Sequence, residues 1–89
     1  MSEDPYAKLR IQLNLQEWPD VYLFKFIILN KSELVAKVSS LFDDCVDLNY
    51  QPSKNGKYIS VGAKEVMLDV DSIINKYKKA AKIESLVAL

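Results

Sequence analysis

The dipeptide Asn55-Gly56 constrains this chain more than any other feature. A two-residue type I′ turn needs positive φ at both centres, which asparagine and glycine reach at least cost, so the pair predicts a tight β-hairpin over residues 52–58. A turn centred there sets the register. Tyr50 then faces Val61, Leu48 faces Ala63, Asp47 faces Lys64 and Gln51 faces Ser60. Apolar residues meet on one face and an opposite-charge pair meets on the other, whereas a three-residue loop would slip the register and spoil both. Lys54 and Lys57 face each other across the turn as a like-charge pair. Pro52 closes the second strand, which suits a sheet edge, where a missing N–H costs little.

The other elements are read outward from this hairpin. Asp20–Leu29 is rich in aromatic and β-branched residues and reads as a central first strand. Asn30 and Glu33 have capping-box spacing, and Leu34, Val35, Val38, Leu41 and Phe42 then recur on one helical face. Val46, Leu48 and Tyr50 alternate with polar residues, as in a half-buried second strand. Asp69 or Asp71 caps a second helix whose Val70, Ile73, Ile74, Tyr77 and Ala81 form an apolar stripe, and residues 83–89 read as a last strand.

Strand, helix, strand, strand, helix, strand is the split βαβ arrangement of a ferredoxin-like α+β domain with sheet order 4-1-3-2. Residues 1–17 form an N-terminal extension and residues 18–89 the ferredoxin-like domain. Within the extension, Asp4-Pro5 resembles a helix start that would put Tyr6, Leu9 and Leu13 on one face. Leu9, Ile11, Leu13 and Leu15 also alternate as in a strand. Helix is the preferred of the two readings.

Composition narrows the chemistry. An 89-residue chain has room for a single core. Lys plus Arg and Asp plus Glu both total 12, so bulk attraction to nucleic acid is absent and an anionic partner must be met by a local patch. With one cysteine and no histidine, the chain has no internal disulfide, no thiolate or imidazole zinc site and no histidine-based triad. The acidic start at residues 1–5 lacks the layout of a secretory leader, and no apolar run spans a bilayer, so the expected location is the cytoplasm and no membrane is involved. Asp43-Asp44 and Asp69-x-Asp71 sit at helix boundaries, where aspartate serves turns and caps, and Cys45 beside them reads as packed and inert. No catalytic, metal or cofactor site is expected.

Two candidate binding surfaces follow from the topology. Tyr22, Phe24, Phe26 and Ile28 would face the helices with Ile59, Val61 and Ala63, leaving the other face open. On it stand Val21, Leu23, Lys25, Ile27 and Leu29 beside Tyr58, Ser60, Gly62 and Lys64, as a homodimer contact, a ligand floor or a partner surface, the alternative being ordinary surface apolarity partly covered by the N-terminal segment. The second candidate is a basic pole. Chain direction gathers Lys31, Lys54, Lys57, Lys76, Lys78, Lys79 and Lys82 at the hairpin end, while Asp20, Asp43, Asp44, Asp47, Glu65, Asp69 and Asp71 gather opposite. With Asn55, Gly56 and free N–H groups at the first helix start, that end offers a place for a small anion or an acidic partner.

Trp18-Pro19, the strand Tyr22-Leu23-Phe24-Lys25-Phe26 and above all Pro52-Ser53-Lys54-Asn55-Gly56-Lys57-Tyr58-Ile59-Ser60-Val61 resemble the YbeD-like family of short bacterial proteins, a domain of unknown function. The ending Val87-Ala88-Leu89 is similar too. Trp18 stands where many relatives carry phenylalanine. The resemblance implies a ferredoxin-like fold related in shape to the ACT regulatory domains that bind amino acids.

The function expected is a non-catalytic regulatory or ligand-binding module of the ACT kind. The alternative is an adaptor that docks on another protein through the open sheet face. An RNA-recognition module shares the fold but is disfavoured, because Tyr58 is the single open-face aromatic and the matching Lys/Arg-Gly-Phe-Gly-Phe motif is absent.

Overall fold

The computed structural model describes residues 4–89, so residues 1–3, the first part of the acidic start, lie outside the described residues. In chain order the elements are α1 (Ala7–Leu13), β1 (Asp20–Leu29), α2 (Ser32–Ser39), β2 (Asp47–Pro52), β3 (Tyr58–Met67), α3 (Val70–Ala80) and β4 (Val87–Ala88). The four strands form an antiparallel sheet in the order β2-β3-β1-β4, the expected ferredoxin-like order read from its other edge. No helix among the described residues is long and apolar enough to cross a membrane.

Strand alternation builds the core. Even-numbered residues of β1 and odd-numbered residues of β3 point to the helices, and Phe24, Phe26, Ile28, Val61 and Ala63 are buried there against Val38 of α2 and Ile73 and Ile74 of α3. Each large apolar side chain so enclosed stabilises the fold by roughly 1.5–3 kcal/mol. At the centre Tyr77 meets Phe24 edge-on at 5.4 Å between ring centroids, and its hydroxyl shares a 2.8 Å hydrogen bond with that of Tyr22. Burial, then this bond, pushes the Tyr77 phenol well above its ordinary range.

The N-terminal segment is helical, with Leu13 in the core and Tyr6 and Leu9 packed against it, while Ile11 and Leu15 face solvent. Helical spacing prevails over strand alternation here because one stripe suffices to cover the end of the core. One contact fastens the end of α1 to the loop that follows it, and another ties α1 to α3. The Trp18 indole N–H donates to the Leu13 carbonyl at 2.8 Å, and Arg10 pairs with Asp71 of α3, which raises the guanidinium pKa. The Trp18–Pro19 peptide bond is cis.

The hairpin register is the expected one at every pair from Asp47–Lys64 to Pro52–Ile59, but its turn differs. Gly56 has φ of +73°, whereas Asn55 is not left-handed, and the Gly56 N–H donates to the Ser53 carbonyl at 2.9 Å. This is a Ser53–Gly56 turn closed by a left-handed glycine, not a type I′ turn. The connection as a whole, from Ser53 to Tyr58, remains centred between Asn55 and Gly56, so the pairing survives the change. Lys54 and Lys57 lie outside the ladder and do not form a cross-strand pair; the Lys57 Nζ stands 5.7 Å from the Tyr58 ring centroid.

Four further expectations are corrected. Asn30 does not cap α2: the N-cap is Lys31, which gives no side-chain acceptor, and the Asn30 amide reaches Gly56 instead. The last strand is Val87–Ala88 alone, because residues 81–85 turn and Ser85 adopts φ of +66°. Cys45 is exposed, carried on the turn that the Val46 N–H closes by donating to the Asp43 carbonyl. Lys76 leaves the basic pole. Its Nζ lies 3.0 Å from Glu65 and 2.8 Å from the Leu41 carbonyl, and 4.7 Å from the Phe42 ring centroid, because the carboxylate of β3 and the chain after α2 lie within reach of the lysine stem. Of the two candidate caps of α3, Asp69 is the one used, accepting from the Ser72 N–H at 2.8 Å.

Candidate functional site

Ten residues of β1 pair with ten of β3, and the same alternation that fills the core sends five from each strand to the other side of the sheet. Across the two strands these stand as Val21–Val66, Leu23–Lys64, Lys25–Gly62, Ile27–Ser60 and Leu29–Tyr58. β2 adds Asp47, Asn49 and Gln51, and β4 adds Val87 opposite Ile27. Leu89 follows the same alternation, its N–H donating to the Lys25 carbonyl at 2.9 Å.

Nothing among the described residues covers this face. α1 packs on α3 in the helical layer, so the expected partial cover by the N-terminal segment is not formed. Six of the ten large apolar residues exposed among the described residues stand here: Val21, Leu23, Tyr58, Val66, Val87 and Leu89. Leu23 is 60% exposed and Val66 63%. Surfaces commonly scatter such residues singly, so the gathering of six on one sheet face singles that face out as the candidate surface.

Gly62 adds a hollow at the middle of the face, lined by Leu23, Asp47, Asn49 and Lys64. Its backbone does not require glycine, since its φ is not left-handed and a Cβ would meet nothing closer than 3.9 Å. Glycine inside a central strand weakens the strand and commonly marks a place where another group approaches closely.

The hairpin end offers less than its charges suggest. The Gly56 N–H is taken by the Ser53 carbonyl, the Lys57 N–H by Asn55 Oδ1 at 3.0 Å and the Tyr58 N–H by Ser53 Oγ at 3.1 Å. An anion at the crown therefore finds lysine side chains rather than a cradle of backbone donors. Lys31 stands at the start of α2, where Glu33 in the first turn competes for the same helix end. Lys79 lines a groove with Glu65, Val66 and Ser72, away from the crown, and Lys78 and Lys82 are exposed near the C-terminal end of α3. The structure thus brings Leu23, Lys25, Ile27, Tyr58, Ser60, Gly62 and Lys64 together on one face but does not converge the lysines on one point. Val66 was legible by extending the strand alternation two residues. Val87 and Leu89 were not, because their face depends on a register no sequence pattern states.

No protein-family model and no curated protein matches the chain. Among solved structures, the uncharacterized protein TM1266 from Thermotoga maritima is similar, with a TM-score of 0.64 at 14% identity over 78% of this chain and 90% of that one. At that identity the likeness shows the fold: this is a ferredoxin-like α+β chain.

Proposed function

We propose that this chain is a non-catalytic binding module that meets a protein partner through the uncovered face of its sheet. The observation that carries the reading is the gathering of exposed Val21, Leu23, Tyr58, Val66 and Val87 on that face around the hollow at Gly62. A regulatory module that senses a small ligand in the ACT manner is the second reading, favoured by that hollow, by Lys64 in its lining and by Lys25 opposite Gly62 on β1. The resemblance to the YbeD-like family fits both, and an exposed free cysteine suits a reducing cytoplasm. With Tyr58 as the face's one aromatic among the described residues, base stacking has little support.

Affinity capture from an extract of the native host tests the reading, using the wild type, Leu23→Glu on the face and Leu15→Glu beyond α1. A protein retained by the wild type and Leu15→Glu but lost by Leu23→Glu is the expected result. Equal retention by all three contradicts it. A small molecule that raises the melting temperature while no protein is retained points to the sensor instead.

A further inference from the structure

We infer that the occupant of the open face is a second copy of this chain, packed sheet to sheet about a two-fold axis at the Lys25–Gly62 pair. The inference rests on the reading of that face as the binding surface. An isologous contact demands a patch complementary to itself, and the open-face pattern of β1 and β3 has that property. Lys25–Gly62 is the middle of its five pairs, with apolar Leu23 and Ile27 on either side along β1 and polar Lys64 and Ser60, which the two-fold lays over each other, on either side along β3. Rotation about an axis through this pair, across the strands, lays Leu23 over Ile27 of the second copy, Val21 over Leu29 and Val66 over Tyr58. Every one of these contacts joins two side chains with apolar bodies. Aligned sheets cross at about 30°, so the pairs nearest the axis, Leu23 with Ile27, are held best.

Size agrees. Strands about 4.8 Å apart rising about 3.3 Å per residue give a four-stranded face of this length roughly 500 Å², or about 1,000 Å² over two copies. That is the lower bound of a specific interface, so the dimer is weak and concentration-dependent. Charge agrees with weakness as well. The two copies of Lys25 meet at the axis, and the missing side chain of Gly62 beside each leaves room for the lysine stem to turn toward solvent. Removing that charge tightens the dimer.

Sedimentation of the full chain from about 10 to about 500 µM tests this directly, a range that brackets the association expected of so small an interface. The average mass of the wild type is expected to rise from 10.2 kDa toward twice that value. Lys25→Met should shift the midpoint several-fold lower, and Leu23→Glu should hold the chain monomeric. Leu23→Glu places its carboxylate opposite Lys64 on β3, so the monomer stays folded. Leu23→Thr/Val66→Thr, which removes apolar area with strand-compatible residues, should weaken association at least tenfold and serves if the charged variant misfolds. A mass fixed at 10.2 kDa throughout overturns the inference, as does a dimer that neither face variant weakens. If the wild type is monomeric but Leu23→Glu still loses a protein captured from extract, the second copy is wrong and the binding face stands. If neither assay responds, both fall.

Discussion

The side-chain amide of Asn30 donates to the carbonyl oxygen of Gly56 at 3.1 Å, and the Asn30 backbone N–H donates to the Lys57 carbonyl at 2.9 Å. The end of central strand β1 is thereby tied to the turn of the β2–β3 hairpin, on which the open face depends for Tyr58 and Ser60. Asn30→Ala keeps the backbone bond and loses the other. It should cost about 0.5–1 kcal/mol, the ordinary net value of one exposed hydrogen bond. Urea unfolding would measure the loss, and hydrogen exchange should show faster opening at the hairpin turn than in α3.

The two glycines should respond oppositely to a side chain. Gly56 has φ of +73°, so Gly56→Ala should destabilise by about 1 kcal/mol through backbone strain. Gly62 lies in a strand without a left-handed φ, and a new Cβ would make only ordinary van der Waals contact, 3.9 Å from the Asn49 and Phe24 carbonyl oxygens, so Gly62→Val should stabilise by roughly 0.5–1 kcal/mol. A loss of stability in Gly62→Val would mean the strand itself needs glycine, and the external reason given for it would fail.

The Tyr22 and Tyr77 hydroxyls share a part-buried hydrogen bond at the edge of the core. Tyr22→Phe leaves the buried Tyr77 hydroxyl without its partner and should cost about 1–2 kcal/mol, while Tyr22→Phe/Tyr77→Phe should recover much of that. The Tyr77 phenol is raised in the folded chain, so its contribution is complete below the unfolded value and lost as pH rises above about 10. Alkaline titration of stability should therefore be shallower in Tyr77→Phe.

Asp69 gives the opposite dependence. Its carboxylate accepts from the Ser72 backbone N–H, which holds its pKa below the ordinary value. A depressed folded pKa means stability present above about pH 4 and lost as pH falls through the folded value. Asp69→Asn, which still caps, should keep the melting temperature near neutrality and flatten the acid limb; Asp69→Ala should lower it at both.

Much of this fold was legible in the sequence because its strongest signals were local. Asn55-Gly56 set a register that the structure keeps at every pair, and the stripes of α2 and α3 named their buried residues except at the end of α3, where Ala80 is buried and Ala81, the C-cap, is exposed. The failures share one cause, competition settled by tertiary contacts. Asn30 had the spacing of a cap, but a hairpin carbonyl lay within reach. Lys76 read as part of a basic end, yet Glu65 of β3 and the Leu41 carbonyl after α2 hold it away from that end. The open face was legible through alternation, whereas its lack of cover was not, since only the packing of α1 on the helical layer decides it.

Methyl-labelled full chain, observed by NMR in an unlabelled extract of its host, tests the central claim most directly, because side chains on and off the face report from one sample. Methyl signals of Val21, Leu23, Val66 and Val87 should broaden or shift while those of Ile11 and Leu15, equally exposed elsewhere, stay sharp. Broadening confined to Ile11 and Leu15, or uniform over all six, would contradict the assignment of the open sheet face as the surface this protein binds with.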